Sequence, residues 1–170
     1  MEVLPKRFAK YGLTIHPEKT RVVRFRRPDR ENPEGRERPK RETFNFLGFT
    51  HAWKRSRKAT WVIARTTERG RFARAVRKVS DWCRRYRHLP VEAQHAQLQR
   101  KLKGHYAYYG ITGNYAMLVN FQLQVIRVWK KWLSRRSNNG WVSWEKLDLL
   151  LDRYSLAPAR VVHSIYSAKL

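Results

Sequence analysis

From Thr67 onward the apolar positions fall at helical spacing. Phe72, Val76, Val79, Cys83 and Tyr86 follow one another at steps of four, three, four and three, which puts them on one side of a helix. A second helix is expected to start near Pro90, whose fixed φ suits a first turn, with Glu92 placed to complement the helix dipole. Its apolar side is Leu98, Leu102, Tyr106 and Tyr109. After the turn Gly110-Ile111-Thr112-Gly113, Asn114 is positioned to cap a third helix with the stripe Leu118, Phe121, Val125, Val128 and Trp132, stopping at Asn138-Asn139-Gly140. A fourth, shorter helix follows Ser143 with Trp144, Leu147, Leu151 and Tyr154 on one face, and ends before Ala157-Pro158.

Upstream of Thr67 the pattern is different. Residues 3–11 read as a short helix end, and Leu13-Thr14-Ile15 and Arg21-Val22-Val23-Arg24-Phe25 read as two short strands around the turn His16-Pro17-Glu18-Lys19. Arg26 to Glu42 contains three prolines and no aliphatic or aromatic residue, so it is expected to be a loop outside any core. Phe44 to Trp53 and Ala59 to Ala64 then predict a second hairpin with the basic tip Lys54-Arg55-Ser56-Arg57. The expected fold class is α+β, a small antiparallel β-hairpin module over residues 1–65 followed by a bundle of about four helices over 66–170.

Charge changes what that fold is expected to do. The chain is 42% hydrophobic and 13% aromatic, enough for a core, yet it carries a net charge of +25. Self-repulsion on that scale calls for a polyanionic partner, and nucleic acid is the expected one. Residues 65–139 hold 17 basic and 3 acidic side chains, so the main binding surface is expected there. No run approaches the roughly 20 apolar residues that span a bilayer, the start does not read as a signal peptide, and Cys83 is the single cysteine. The expected location is cytoplasmic, with no membrane partner.

Candidate contacts come from two patterns. Arg71, Arg74, Lys78 and Arg85 on the first long helix, and Lys130, Lys131, Arg135 and Arg136 toward the end of the third, form basic sides with few acids to balance them. Cations near a helix C-terminus are favourable through the dipole alone, but a merely solubilising surface mixes both signs, and these faces suit phosphates. The stretch Lys101 to Gly110 interleaves cations with aromatics, a composition that can stack on bases and hold a backbone. Tyr106 and Tyr109 belong to the apolar side, leaving Lys101, Lys103, His105 and Tyr108 as contacts. The six histidines show no ligand pair and Cys83 has no CxxC partner, so no metal site is expected. The aspartates are scattered, so the clustered carboxylates of two-metal chemistry are not encoded and no catalytic residue is assigned.

The run Tyr11-Gly12-Leu13-Thr14-Ile15-His16-Pro17-Glu18-Lys19-Thr20, with Phe46-Leu47-Gly48-Phe49, resembles the last two reverse-transcriptase motifs of group II intron proteins. Residues 67–165 resemble the maturase-specific thumb domain of the same family. The segments that carry this are Trp82-Cys83-Arg84-Arg85-Tyr86, Gly104 to Asn114 with its Tyr-Tyr-Gly-Ile-Thr-Gly-Asn end, and the tail Pro158 to Ser164. The resemblance implies that Lys19 lies near the incoming nucleotide and that Leu47, Gly48 and Phe49 form the primer grip. It also implies that the helical thumb binds structured RNA (group II intron RNA), assists its folding and splicing, and clamps an RNA/DNA template-primer. The family's fingers and catalytic palm, with the Tyr-Ala-Asp-Asp sequence, would precede Met1, and its His-Asn-His nuclease would follow Leu170. The Mg2+ of the full-length family is accordingly not expected in this chain.

Two functions follow from these readings: an RNA-binding maturase-type domain, or part of an RNA-directed DNA polymerase that works only when an upstream reverse-transcriptase segment supplies the aspartates. A basic DNA-binding domain fits less well, because neither a helix-turn-helix signature nor zinc-finger spacing is present. The pure chain, given a primed template, a divalent metal and all four dNTPs, is expected to show no extension in a gel assay. Template-dependent extension would contradict the missing carboxylate cluster.

Overall fold

The computed structural model describes residues 3–16, 20, 22–28, 43–137 and 139–164. In chain order the elements are α1 (Val3–Ala9), β1 (Phe44–Phe46), β2 (Phe49–Arg55), β3 (Trp61–Thr67), α2 (Arg69–Arg85), α3 (Val91–Tyr109), α4 (Tyr115–Leu133) and α5 (Trp144–Arg153). The three strands form one antiparallel sheet in the order β1-β2-β3. An α+β chain, a small β module followed by helices, is therefore what the sequence builds.

By internal contact the chain divides into Met1–Phe44 with His51–Ile63, and Asn45–Thr50 with Ala64–Leu170. In the first unit, α1 is the expected short helix. The two strands expected at Leu13-Thr14-Ile15 and around Val22-Val23-Arg24-Phe25 do not form: the described residues there have no ladder. Short runs with β propensity become strands only with a partner that buries one face. Phe25 instead packs edge-on to Phe44 at 4.9 Å and stacked on Trp53 at 5.3 Å, and Phe44 stacks on His51 at 4.7 Å. The β2–β3 turn is closed by Ser56, whose N–H donates to the Thr60 carbonyl at 2.8 Å.

The second unit holds the core. Val79 and Cys83 of α2, Leu98, Leu102 and Tyr106 of α3, Leu118, Phe121, Val125, Trp129 and Leu133 of α4, Leu147 of α5, and Leu156 are buried together. The stripes expected on α2, α3 and α5 point inward with two corrections: Tyr86 is the exposed C-cap of α2, and Trp144, expected on the inner face of α5, stands in its first turn 54% exposed while Leu147 is buried. On α4 the far end is shifted: Trp129 and Leu133 are fully buried, the expected Val128 and Trp132 are half-buried against the same core, and the helix ends at Leu133. A strict seven-residue repeat drifts about 20° per heptad against the 3.6-residue helix, and over α4 that drift changes which residues face in. Ser134 marks the end, its hydroxyl donating to the Lys130 carbonyl at 2.9 Å. The Ser143 cap of α5 forms as expected, accepting from the Lys146 N–H at 3.2 Å.

One polar side chain inside this core has each of its polar atoms bonded within the protein. Gln94 is 1% exposed. Its amide nitrogen donates to the carbonyls of Tyr86, Arg87 and Leu89, and its oxygen accepts from Trp129 Nε1 at 2.9 Å. One side chain thereby satisfies the chain leaving α2 and seats the largest aromatic of the core, whose truncation would cost about 3–5 kcal/mol.

Cys83 faces this core at 1% exposure. Burial pushes its thiol up to about 12, only partly opposed by the Lys101 charge. A thiol reagent should label the native protein far more slowly than the urea-unfolded one, because the thiolate is the reacting species. Equal rates in the two states would contradict the placement of α2.

Candidate nucleic-acid interface

β1 and β2 are joined by two residues, Leu47 at φ 48° and Gly48 at φ 78°. Positive φ at both positions is the backbone that matches the twist of a tight antiparallel hairpin, and glycine adopts it freely while leucine does not. Leu47 carries that conformation with its side chain 67% exposed. Both turn carbonyls are held: Tyr108 Oη donates to Leu47 O at 2.9 Å, and the Glu68 N–H donates to Gly48 O at 2.9 Å. A Cβ on Gly48 would lie 3.2 Å from Tyr109 Oη, so a larger residue would press on that hydroxyl as well as carry the strain of φ 78°. Phe49 stacks parallel to Tyr108 at 6.1 Å and meets Tyr109 edge-on at 5.4 Å.

The α3–α4 junction that presents these tyrosines is pinned from two sides. Gly110 ends α3 where a Cβ would collide with the Tyr106 carbonyl, and its own carbonyl accepts from the N–H groups of Val162 and His163 at 2.7 and 2.8 Å. Asn114, expected as a side-chain cap for α4, makes no cap bond. Its oxygen accepts from the Thr67 N–H at 2.9 Å, and its nitrogen donates to Thr67 Oγ1 and the Tyr109 carbonyl, both at 2.8 Å. The end of β3 is thus fastened to the end of α3.

Leu47, Gly48, Arg71, Tyr108 and Tyr109 line a cleft of about 510 Å³. Burial, then the neighbouring Tyr108, raises the Tyr109 pKa; Arg71 opposes the rise, Glu68 adds to it and Arg74 opposes it. The phenol stays protonated, and both arginines are near enough to act on it. Glu68 approaches Arg71 Nε at 3.9 Å, the one ion pair among the described residues, and an exposed pair of this kind is worth about 0–1 kcal/mol. It leaves the positive character of the cleft in place. Aromatic faces beside a guanidinium can stack on a base or sugar while the cation meets a phosphate.

Other expected contacts are placed unevenly. Arg71, Arg74, Lys78 and Arg85 are all exposed, and their steps of three, four and seven put them on one side of α2. Lys103 and Lys131 are exposed, Tyr108 is 54% exposed, and half-buried Lys101 lies over the Trp82 ring at 5.3 Å. Lys130 sits over Trp141 and Trp144, and Lys131 and Arg135 over Trp132. Lys19 lies outside the described residues.

Two expected contacts are corrected. His105 is not an open stacking face: its ring lies on Phe121 at 3.7 Å, 16° from parallel, and burial lowers its pKa to about 4. Its place three residues after Leu102 and four before Tyr109 was the signal that it belongs to the apolar side. Arg136 is a structural residue, half-buried, with Nη2 donating to the Leu89 carbonyl at 2.6 Å. The sequence pattern did not single out Asn114 as a clamp, Gln94 or the exposed Trp141, and it placed Trp144 on an apolar face where the structure exposes it.

Among the described residues there is no group of three metal-ligating side chains, and no helix is long and apolar enough to cross a membrane. No protein-family model, no curated protein and no solved structure matches the chain.

His105 gives the interface a pH signature. Its pKa falls from 6.5 to about 4 on folding, so the unfolded chain takes up the proton first as pH drops. Its stabilising contribution is complete above pH 6.5 and is lost as pH falls toward 4. The thermal midpoint should decline more steeply across that window in wild type than in His105→Phe. Parallel profiles would contradict the buried, neutral imidazole.

Proposed function

We propose that this chain binds structured RNA as a maturase-type domain of a group II intron reverse transcriptase, assisting intron RNA folding and holding template-primer, without catalytic aspartates of its own. The observation that carries the reading is a juxtaposition. The Leu47-Gly48-Phe49 turn, singled out by the family resemblance, meets Tyr108, singled out by the interleaved aromatic stretch, with Tyr109 and the basic-face residue Arg71 beside them.

Affinity in this reading comes mainly from α2, whose cations displace counterions from phosphates. The turn and the tyrosines then act as a wall that orients the strand through stacking rather than through base-edge hydrogen bonds, so discrimination rests on shape. The polymerase reading uses the same surface and differs only in needing aspartates from another polypeptide segment.

Replacing Arg71, Arg74, Lys78 and Arg85 with alanine should weaken binding of a folded RNA and flatten its salt dependence. The expected loss of slope is roughly 0.7 to 0.9 per phosphate contact removed. Alanine at the exposed Lys146 and Arg153 of α5, where acids balance the charge, should leave the slope nearly unchanged. Anisotropy titrations at several salt concentrations decide between them, and equal losses in both variants would reduce the binding to net charge alone.

A further inference from the structure

We infer that Trp141 and Trp144 form a stacking platform for unpaired bases of single-stranded RNA, at the end of α4 remote in sequence from the hairpin turn. Trp141 is 71% exposed and Trp144 54% exposed. Exposed rings are common on this surface, and what sets these two apart is that one cation brings them together. The ammonium of Lys130 stands 5.4 Å from the Trp141 ring and 4.8 Å from the Trp144 ring, so one cation holds both indoles while their remaining surface faces solvent.

The backbone under the rings is fixed. Val142 lies between them and packs on the core, its N–H donating to Ser134 Oγ at 3.1 Å. Ser143 caps α5. The backbone that carries the rings is therefore ordered before a ligand arrives, which removes part of the ordering cost of binding. Lys131 and Arg135, both exposed, lie over Trp132 at 5.4 Å each on the same helix end.

Aromatic faces with cations close by, and without a groove of hydrogen-bonding edges, suit a ligand whose bases are unstacked and whose backbone is anionic. A duplex keeps its base faces covered and can use only the cations. Glu145 and Asp148 lie nearby in sequence, so charge alone does not make this the most attractive surface for phosphate; the rings supply the preference. This inference rests on the RNA-binding reading above and adds to it a second site with its own ligand class.

The test uses the full chain and two probes, a short oligouridine and a blunt RNA duplex of equal charge. The double variant Trp141→Ala, Trp144→Ala should lose about tenfold or more in oligouridine affinity, as removal of stacking rings does, and keep its duplex affinity. The double variant Trp141→Phe, Trp144→Phe should retain most of the oligouridine affinity. Circular dichroism and melting confirm that the variants are folded, which exposed positions permit. If wild type binds both probes and the alanine variant loses neither, or loses both equally, the platform is overturned while the RNA-binding reading stands. Wild type that binds neither probe overturns both.

Discussion

Asn114 sits where the chain leaves α3 for α4, and its carboxamide reaches back to Thr67 at the end of β3. All three of its described hydrogen bonds are made inside the protein at 1% exposure. Replacing it with an apolar residue would leave the buried Thr67 N–H unsatisfied, at about 1–3 kcal/mol, while the Tyr109 carbonyl would keep the Ile111 N–H. The larger effect is positional. β3 pairs with β2, and β2 carries Phe49, while Tyr108 and Tyr109 occupy the last turn of α3. Where Asn114 clamps the two ends determines whether the hairpin turn reaches those rings.

Around that clamp the chain separates cations from core with little recourse to ion pairing. The α2 stripe of Phe72, Val76, Val79 and Cys83 faces inward, and Arg71, Arg74, Lys78 and Arg85 face solvent. Several cations lie against indole or phenol rings instead of carboxylates. A ring shelters the aliphatic stem without cancelling the charge, so the positive field remains available to an outside anion. Arg136 is the contrasting case, drawn partly inside by the Leu89 carbonyl, with burial lowering its pKa.

Local periodicity made the helices legible. The stripes Phe72 to Cys83 and Leu98 to Tyr106 needed only the 3.6-residue repeat, and Ser143 announced α5 through its cap. Long-range pairing was not legible. Leu13-Thr14-Ile15 has strand-like residues but no ladder, because propensity does not say whether a neighbouring strand is present. Arg136 was misread for a related reason, since Leu89 is 47 residues away, whereas His105 had the right helical spacing and was misread on residue type alone. Asn114 stood at a cap position and was spent on Thr67, 47 residues away. Trp141 lay in a segment whose charge balance drew attention elsewhere, and Trp144 matched the helical repeat of α5 yet stays exposed in its first turn.

The Gln94 amide limits what mutation can do to this protein. Its nitrogen faces the carbonyls of Tyr86, Arg87 and Leu89, while its oxygen takes the Trp129 indole proton. Glutamate would set a second oxygen against three carbonyl oxygens, asparagine is one methylene too short, and methionine offers no donor. Most of the cationic surface can exchange lysine for arginine and keep its charge. Position 94 has no such synonym, so variation in a lineage of such chains should be wide on the basic faces and nearly nil at a residue that touches neither solvent nor ligand.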